Sequence, residues 1–107
     1  MEPATYLTFD LGTTGLKTAL VNHDGRVPVV YTVEYTPQVP RPGWAEMAPE
    51  VYWQAAVTGA RAVLAKTGAD PSSVQAIGFS SQGQTFVPLD RARRPLHDFI
   101  VWVDVRG

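Results

Sequence analysis

Short apolar and polar runs open the chain, a helical period fills its middle, and strand-like runs return at its end. Thr5 to Phe9 is β-branched and aromatic, the composition of a strand, and Asp10 closes the run. Leu16 to Asn22 reads as a second strand, with His23-Asp24-Gly25 as the turn after it. Arg26 to Tyr35 reads as a third, and Pro28 places it at a sheet edge or near a strand start. Short turns between the three predict an antiparallel meander. Thr36 to Trp44 is proline-rich and extended, a crossing segment that tucks Trp44 against the core edge.

Pro49 suits the first turn of a helix, Glu50 its positive end and Gly68 its stop. Between them Trp53, Ala56, Val57, Ala60, Val63 and Leu64 recur at helical spacing and are expected to face the core. Val74 to Ser80 returns to strand character, which implies a crossover connection. Ser80 to Gln84 is polar, and Thr85 to Leu89 resumes the strand pattern. Asp90 to Pro95 is a turn whose Arg91, Arg93 and Arg94 are expected to be solvated. Phe99 to Val105 is the last predicted strand. The order β-β-β-α-β, with more β after it, is a mixed α/β pattern.

Composition narrows the class. The chain has 107 residues, 45% of them hydrophobic and 18% charged, which fits one small globular domain. A net charge of −1 gives no reason to expect a nucleic-acid or membrane-surface partner. There is no cysteine, so disulfides and thiolate metal sites are excluded, and a reducing cytoplasm is the expected location. No apolar run reaches the roughly 18 residues of a membrane span. Met1-Glu-Pro lacks the basic start of a signal peptide.

The candidate chemistry sits at two places. In Asp10-Leu-Gly-Thr-Thr-Gly-Leu-Lys17, Gly12 and Gly15 enclose Thr13 and Thr14. Such glycines let the backbone take positive φ and let a ligand come close. Two hydroxyls and several N–H groups then have one anion to point at. The stretch joins strand to strand, whereas a P-loop or dinucleotide turn leads into a helix. Asp10 repels phosphate but can hold Mg²⁺, which bridges to phosphate oxygens. Lys17 adds a point charge. A plain hairpin with a solvated Asp and Lys fits the same spacing. Near the other end, Trp102, Asp104 and Arg106 alternate with valines, so a strand would put all three on one face. An aromatic platform beside hydrogen-bonding groups suits a polyhydroxylated ligand. An Asp–Arg surface pair beside a half-buried Trp is the alternative.

Five stretches together resemble the FGGY carbohydrate kinases, whose nucleotide fold is similar to that of actin and hexokinase. Asp10 to Lys17 resembles their first phosphate motif. Arg41-Pro-Gly-Trp-Ala-Glu46 and Pro49-Glu-Val-Tyr-Trp53 resemble the loop and helix start that follow. Ile77-Gly-Phe-Ser-Ser-Gln82 resembles the strand leading to the sugar site, and Val101 to Arg106 the Trp-x-Asp-x-Arg segment. The resemblance implies a ribonuclease H-like α/β fold, with residues 1–107 as the opening part of the first of two domains. It implies ATP and Mg²⁺ as cofactors, with Asp10 at the metal and Gly12, Thr13, Thr14, Gly15 and Lys17 at the phosphates. It also implies that Gln82, Gly83, Gln84, Trp102, Asp104 and Arg106 form part of the substrate site.

Xylulose kinases tend to carry Gln-Met-His where this chain has Gln82-Gly83-Gln84, and glycerol kinases Gln-Arg-Glu. A neutral amide still donates and accepts hydrogen bonds to hydroxyls. The resemblance therefore implies ATP-dependent phosphorylation of a sugar or polyol, a ketose such as a pentulose being the expected substrate. The family's general base is expected downstream, so these 107 residues alone are expected to show no turnover. A non-catalytic nucleotide-binding or assembly module of the same fold is the rival reading, as actin illustrates. A homo-oligomer is compatible with either. A third reading is a structural piece whose open edges and uncovered face make it self-associate.

Overall fold

The computed structural model describes residues 3–106. Met1 and Glu2, on which the expectation of no signal peptide partly rests, and Gly107 lie outside the described residues. The three opening strands are β1 (Thr5–Leu11), β2 (Gly15–Asn22) and β3 (Val29–Glu34). They form the expected antiparallel meander. Next come β4 (Glu46–Met47), helix α1 (Pro49–Thr67), β5 (Val74–Ser81) and β6 (Phe99–Ile100). β5 pairs parallel to β1, giving a mixed sheet of order β3-β2-β1-β5. A helical crossover is what allows that parallel partner. β4 and β6 make a separate two-stranded ladder.

Period two sorts the meander. Leu7, Phe9, Leu16 and Leu20 point to one face and are buried under α1 with Ala55 and Val63. Asp10 and Lys17, directly paired in register, are exposed on the other face. Pro49 starts α1, and Gly68 ends it in the left-handed region (φ 68°), its N–H donating to Leu64 C=O. The helix packs mainly against β2 and β3.

That placement keeps Val63 in the core, as expected, and corrects the place of Trp53. Tyr52, Ala55, Gly59 and Val63 are the buried row, whereas Trp53 is 64% exposed. Ala56, Ala60 and Leu64 pack at the edge of that core, and Ala56, Val57 and Ala60 also line a groove beside β5. Thr85–Leu89 is not a strand; it contributes only single bridges, Phe86 to Ile100 and Leu89 to Pro95. Prolines at 88 and 95 remove ladder donors there. The last strand stops at Ile100, because the Asp104 N–H donates to Val101 C=O and turns the chain. Arg91, Arg93 and Arg94 are exposed, as expected.

Candidate functional site

The glycine turn runs from strand to strand. Gly12 N–H donates to Gly15 C=O at 2.9 Å, closing it. Neither glycine has positive φ, contrary to expectation. They are needed for close approach: a Cβ on Gly12 would lie 3.0 Å from Gly15 O, and one on Gly15 3.1 Å from Val33 O. The N–H groups of Thr13 and Thr14 have no partner among the described residues. Asp10, Gly12, Thr14, Gly15 and Lys17 line a concavity of about 590 Å³, with Thr32, Glu34, Tyr35 and Thr36 along its other side. Asp10 thus faces the same space as the turn.

This donor set fits a magnesium-bound phosphate. No group of three acidic or histidine side chains capable of holding a metal occurs among the described residues. Asp10, with Glu34 across the concavity, suits Mg²⁺, which keeps most of its shell as water and phosphate oxygens. Lys17 and the unpartnered N–H groups suit the anion.

Thr13 corrects a second expectation. Its side chain leaves the concavity and joins a chain of hydrogen bonds on the other side. The Trp102 indole N–H donates to Thr13 Oγ1 at 2.6 Å, and the Thr13 hydroxyl donates to Gln82 Oε1 at 3.1 Å. Gln82 Nε2 donates to Gly12 C=O at 3.3 Å and to Tyr52 Oη at 3.1 Å. The Tyr35 hydroxyl donates to the same Gly12 carbonyl at 2.6 Å, and Tyr35 N–H to Thr14 C=O at 3.0 Å. Burial, with smaller contributions from Tyr52 and the Asp10 charge, pushes the Tyr35 phenol up to about 12. Burial also raises Tyr52, opposed by its bond from Gln82.

Trp102, Asp104 and Arg106 do not share a face, because the turn at Val101–Asp104 replaces the strand that would have aligned them. Trp102 points to Thr13 and keeps its ring half exposed. Asp104 turns the other way, with its side chain only 1% exposed. Its carboxylate accepts from Ala45 N–H at 2.6 Å and from the Arg106 guanidinium at 2.6–3.1 Å. The hydrogen bonds from Arg106 hold it well below the usual carboxylate range. Arg106 also reaches Glu46 at 2.7 Å and stacks on Trp44 at 3.8 Å. Asp104 and Arg106 therefore clamp residues 44–46. Gly83 and Gln84 are exposed, and Gln84 takes the left-handed conformation (φ 62°).

Tyr35 and Tyr52 were missed from sequence. Their signal was weak: Tyr52 lies between Val51 and Trp53, and Tyr35 between Glu34 and Thr36, and only the general rule that a buried tyrosine hydroxyl seeks a partner points to either.

A mixed sheet opened by an antiparallel meander, with a strand-to-strand glycine turn, places this chain in the actin and hexokinase fold class. Residues 5–107 match the FGGY family of carbohydrate kinases, N-terminal domain, and the chain belongs to that family. A glycerol kinase from Rhodopirellula baltica is 39% identical over 94% of this chain and 19% of its own length. One from Rippkaea orientalis is 38% identical over 98% of this chain and 21% of its own length. A xyloylose kinase from Brucella ovis superposes with a TM-score of 0.89 at 32% identity, covering 95% of this chain and 22% of that one. A xylulose kinase from Rhodospirillum rubrum does so at 0.80 and 29%, covering 95% and 21%. The chain thus spans about a fifth of the length of these relatives. No helix among the described residues is long and apolar enough to cross a membrane.

Proposed function

We propose that the protein containing this chain transfers the terminal phosphate of ATP to a hydroxyl of a sugar or polyol, a ketose such as a pentulose. The observation that carries this is Asp10 facing Lys17 at the mouth of a closed glycine turn with unpartnered N–H groups. Phosphoryl transfer rests mainly on positioning and charge neutralisation. When bound, Mg²⁺ supplies the charge that offsets the phosphates, and Asp10 would hold it. Lys17 and the N–H groups of Thr13 and Thr14 would steady the phosphate oxygens. The Trp102 ring offers a platform for the apolar face of a sugar, and the exposed Gln84 amide a partner for its hydroxyls. Asp104 and Arg106 hold the loop at 44–46 in place beside it.

The likeness to xylulose kinases and the neutral Gly83-Gln84 pair support a pentulose, while the glycerol kinase relatives make glycerol the competing substrate. The test is ADP release by the full-length protein across pentuloses, glycerol and other polyols, with and without Asp10→Asn. A sugar-dependent rate in the wild type is expected, falling on the order of 100-fold or more in the variant without loss of fold. A variant that keeps full turnover would overturn the role of Asp10.

A further inference from the structure

The Thr13 hydroxyl ties the glycine turn to two later segments of the chain. It accepts from the indole of Trp102, on the segment after β6, and donates to Gln82, which follows β5. Gln82 passes the connection to the Gly12 carbonyl, where the Tyr35 hydroxyl also ends. The only polar atom in the side chain of Trp102 is that indole nitrogen, so its bond to Thr13 sets the angle of the ring. Thr13 N–H, one bond along the backbone, is among the unpartnered donors of the turn.

We propose that Thr13 is a positioning residue that couples the aromatic platform at Trp102 to the phosphate turn. This rests on the kinase reading above. A phosphate drawing in the N–H groups of the turn displaces the Thr13 backbone. Its hydroxyl carries that displacement to the indole on one side and the Gln82 amide on the other. Thr14, adjacent in sequence, has no such bond and lines the concavity instead. The coupling is reciprocal: sugar settling on the Trp102 ring changes nucleotide affinity by the same factor that nucleotide changes sugar affinity.

Two measurements on full-length protein test this. In the first, KM for the best sugar is taken at low and saturating Mg·ATP. It should change about fivefold or more in the wild type. The change should flatten in Thr13→Val and Thr13→Ala and return in Thr13→Ser. Thr13→Val and Thr13→Ala keeping the wild-type dependence would overturn the coupling, as would a wild type with none. The second needs no turnover. Protein carrying 5-fluorotryptophan is titrated with Mg²⁺ and a non-hydrolysable ATP analogue. The Trp102 fluorine resonance is assigned by its loss in Trp102→Phe. It should shift in the wild type and Thr13→Ser but not in Thr13→Ala, and an unmoved wild-type resonance rejects the coupling. A shift without any sugar-dependent turnover leaves the coupling standing and removes the kinase reading alone.

Discussion

Thr13 and Thr14 are neighbours in the chain yet serve different partners. Tyr35 is what holds the turn between them, through its own N–H to Thr14 and its hydroxyl to Gly12. The phenol gives this clamp a pH signature. Its value rises from 10.0 in the unfolded chain to about 12 in the fold, chiefly through burial. The folded state therefore holds the proton more tightly than the unfolded state. The clamp's contribution is complete below pH 10 and drains away as pH climbs towards 12. Denaturant midpoints measured across that window should fall in the wild type. Tyr35→Phe should flatten part of the fall, leaving the share due to Tyr52, which burial also raises. A profile unchanged by Tyr35→Phe would show that the hydroxyl does not hold the turn. The sequence placed Tyr35 at a strand end; nothing in the spacing said that its ring would reach Gly12, 23 residues earlier.

At the scale of elements, the decisive contact is α1 crossing β2. A Cβ on Gly59 would overlap Thr18 Oγ1, so the helix sits as low as a glycine allows. Thr18 is fully buried, and its hydroxyl has no partner among the described residues. Gly59→Ala adds about 1 kcal/mol of helix propensity but forces the helix upward, for a net destabilisation of about 1–3 kcal/mol. Thr18→Ala removes the hydroxyl but leaves its own Cβ 2.9 Å from the new one, so the double variant should recover only part of that loss in a thermal or denaturant melt. Gly59→Ala stabilising the wild-type background would show that the helix rides higher. Trp53 reads as core from the sequence because apolarity around a helix does not say where its axis lies. Gly59, which carries no apolar signal, is the residue on which the axis rests. The strands of the meander were legible because alternation and turn residues agree from Thr5 to Glu34. The tail was not, because Val101 to Arg106 alternates like a strand while the Asp104 carboxylate, bonding Ala45 and Arg106, bends it into a turn.

For the molecule as a whole, the unequal covering of the sheet matters most. α1 covers β2 and β3 and leaves β5 bare. Leu7, Phe9, Trp53, Ile77, Phe79 and Phe99 line a groove of about 490 Å³ between helix and strand. Phe79 is 79% exposed and Ile77 54%, although both sit at period-two positions beside buried Phe9 and Leu7. Contiguous apolar surface of this kind is rare on a free monomer, since burying it against a second copy removes it from water at roughly 25 cal/mol per Å². The 107-residue polypeptide on its own should therefore bind a hydrophobic dye and sediment as a concentration-dependent mixture. Ile77→Thr with Phe79→Ser should lower both signals. These substitutions spare the buried row of α1 and keep residues that strands tolerate, so the circular dichroism spectrum should persist. A polypeptide that stays monomeric and dye-free at high concentration would mean that the groove closes on itself. In that case β5 must draw towards α1, and protection of the Ile77 and Phe79 side chains from solvent would report it directly.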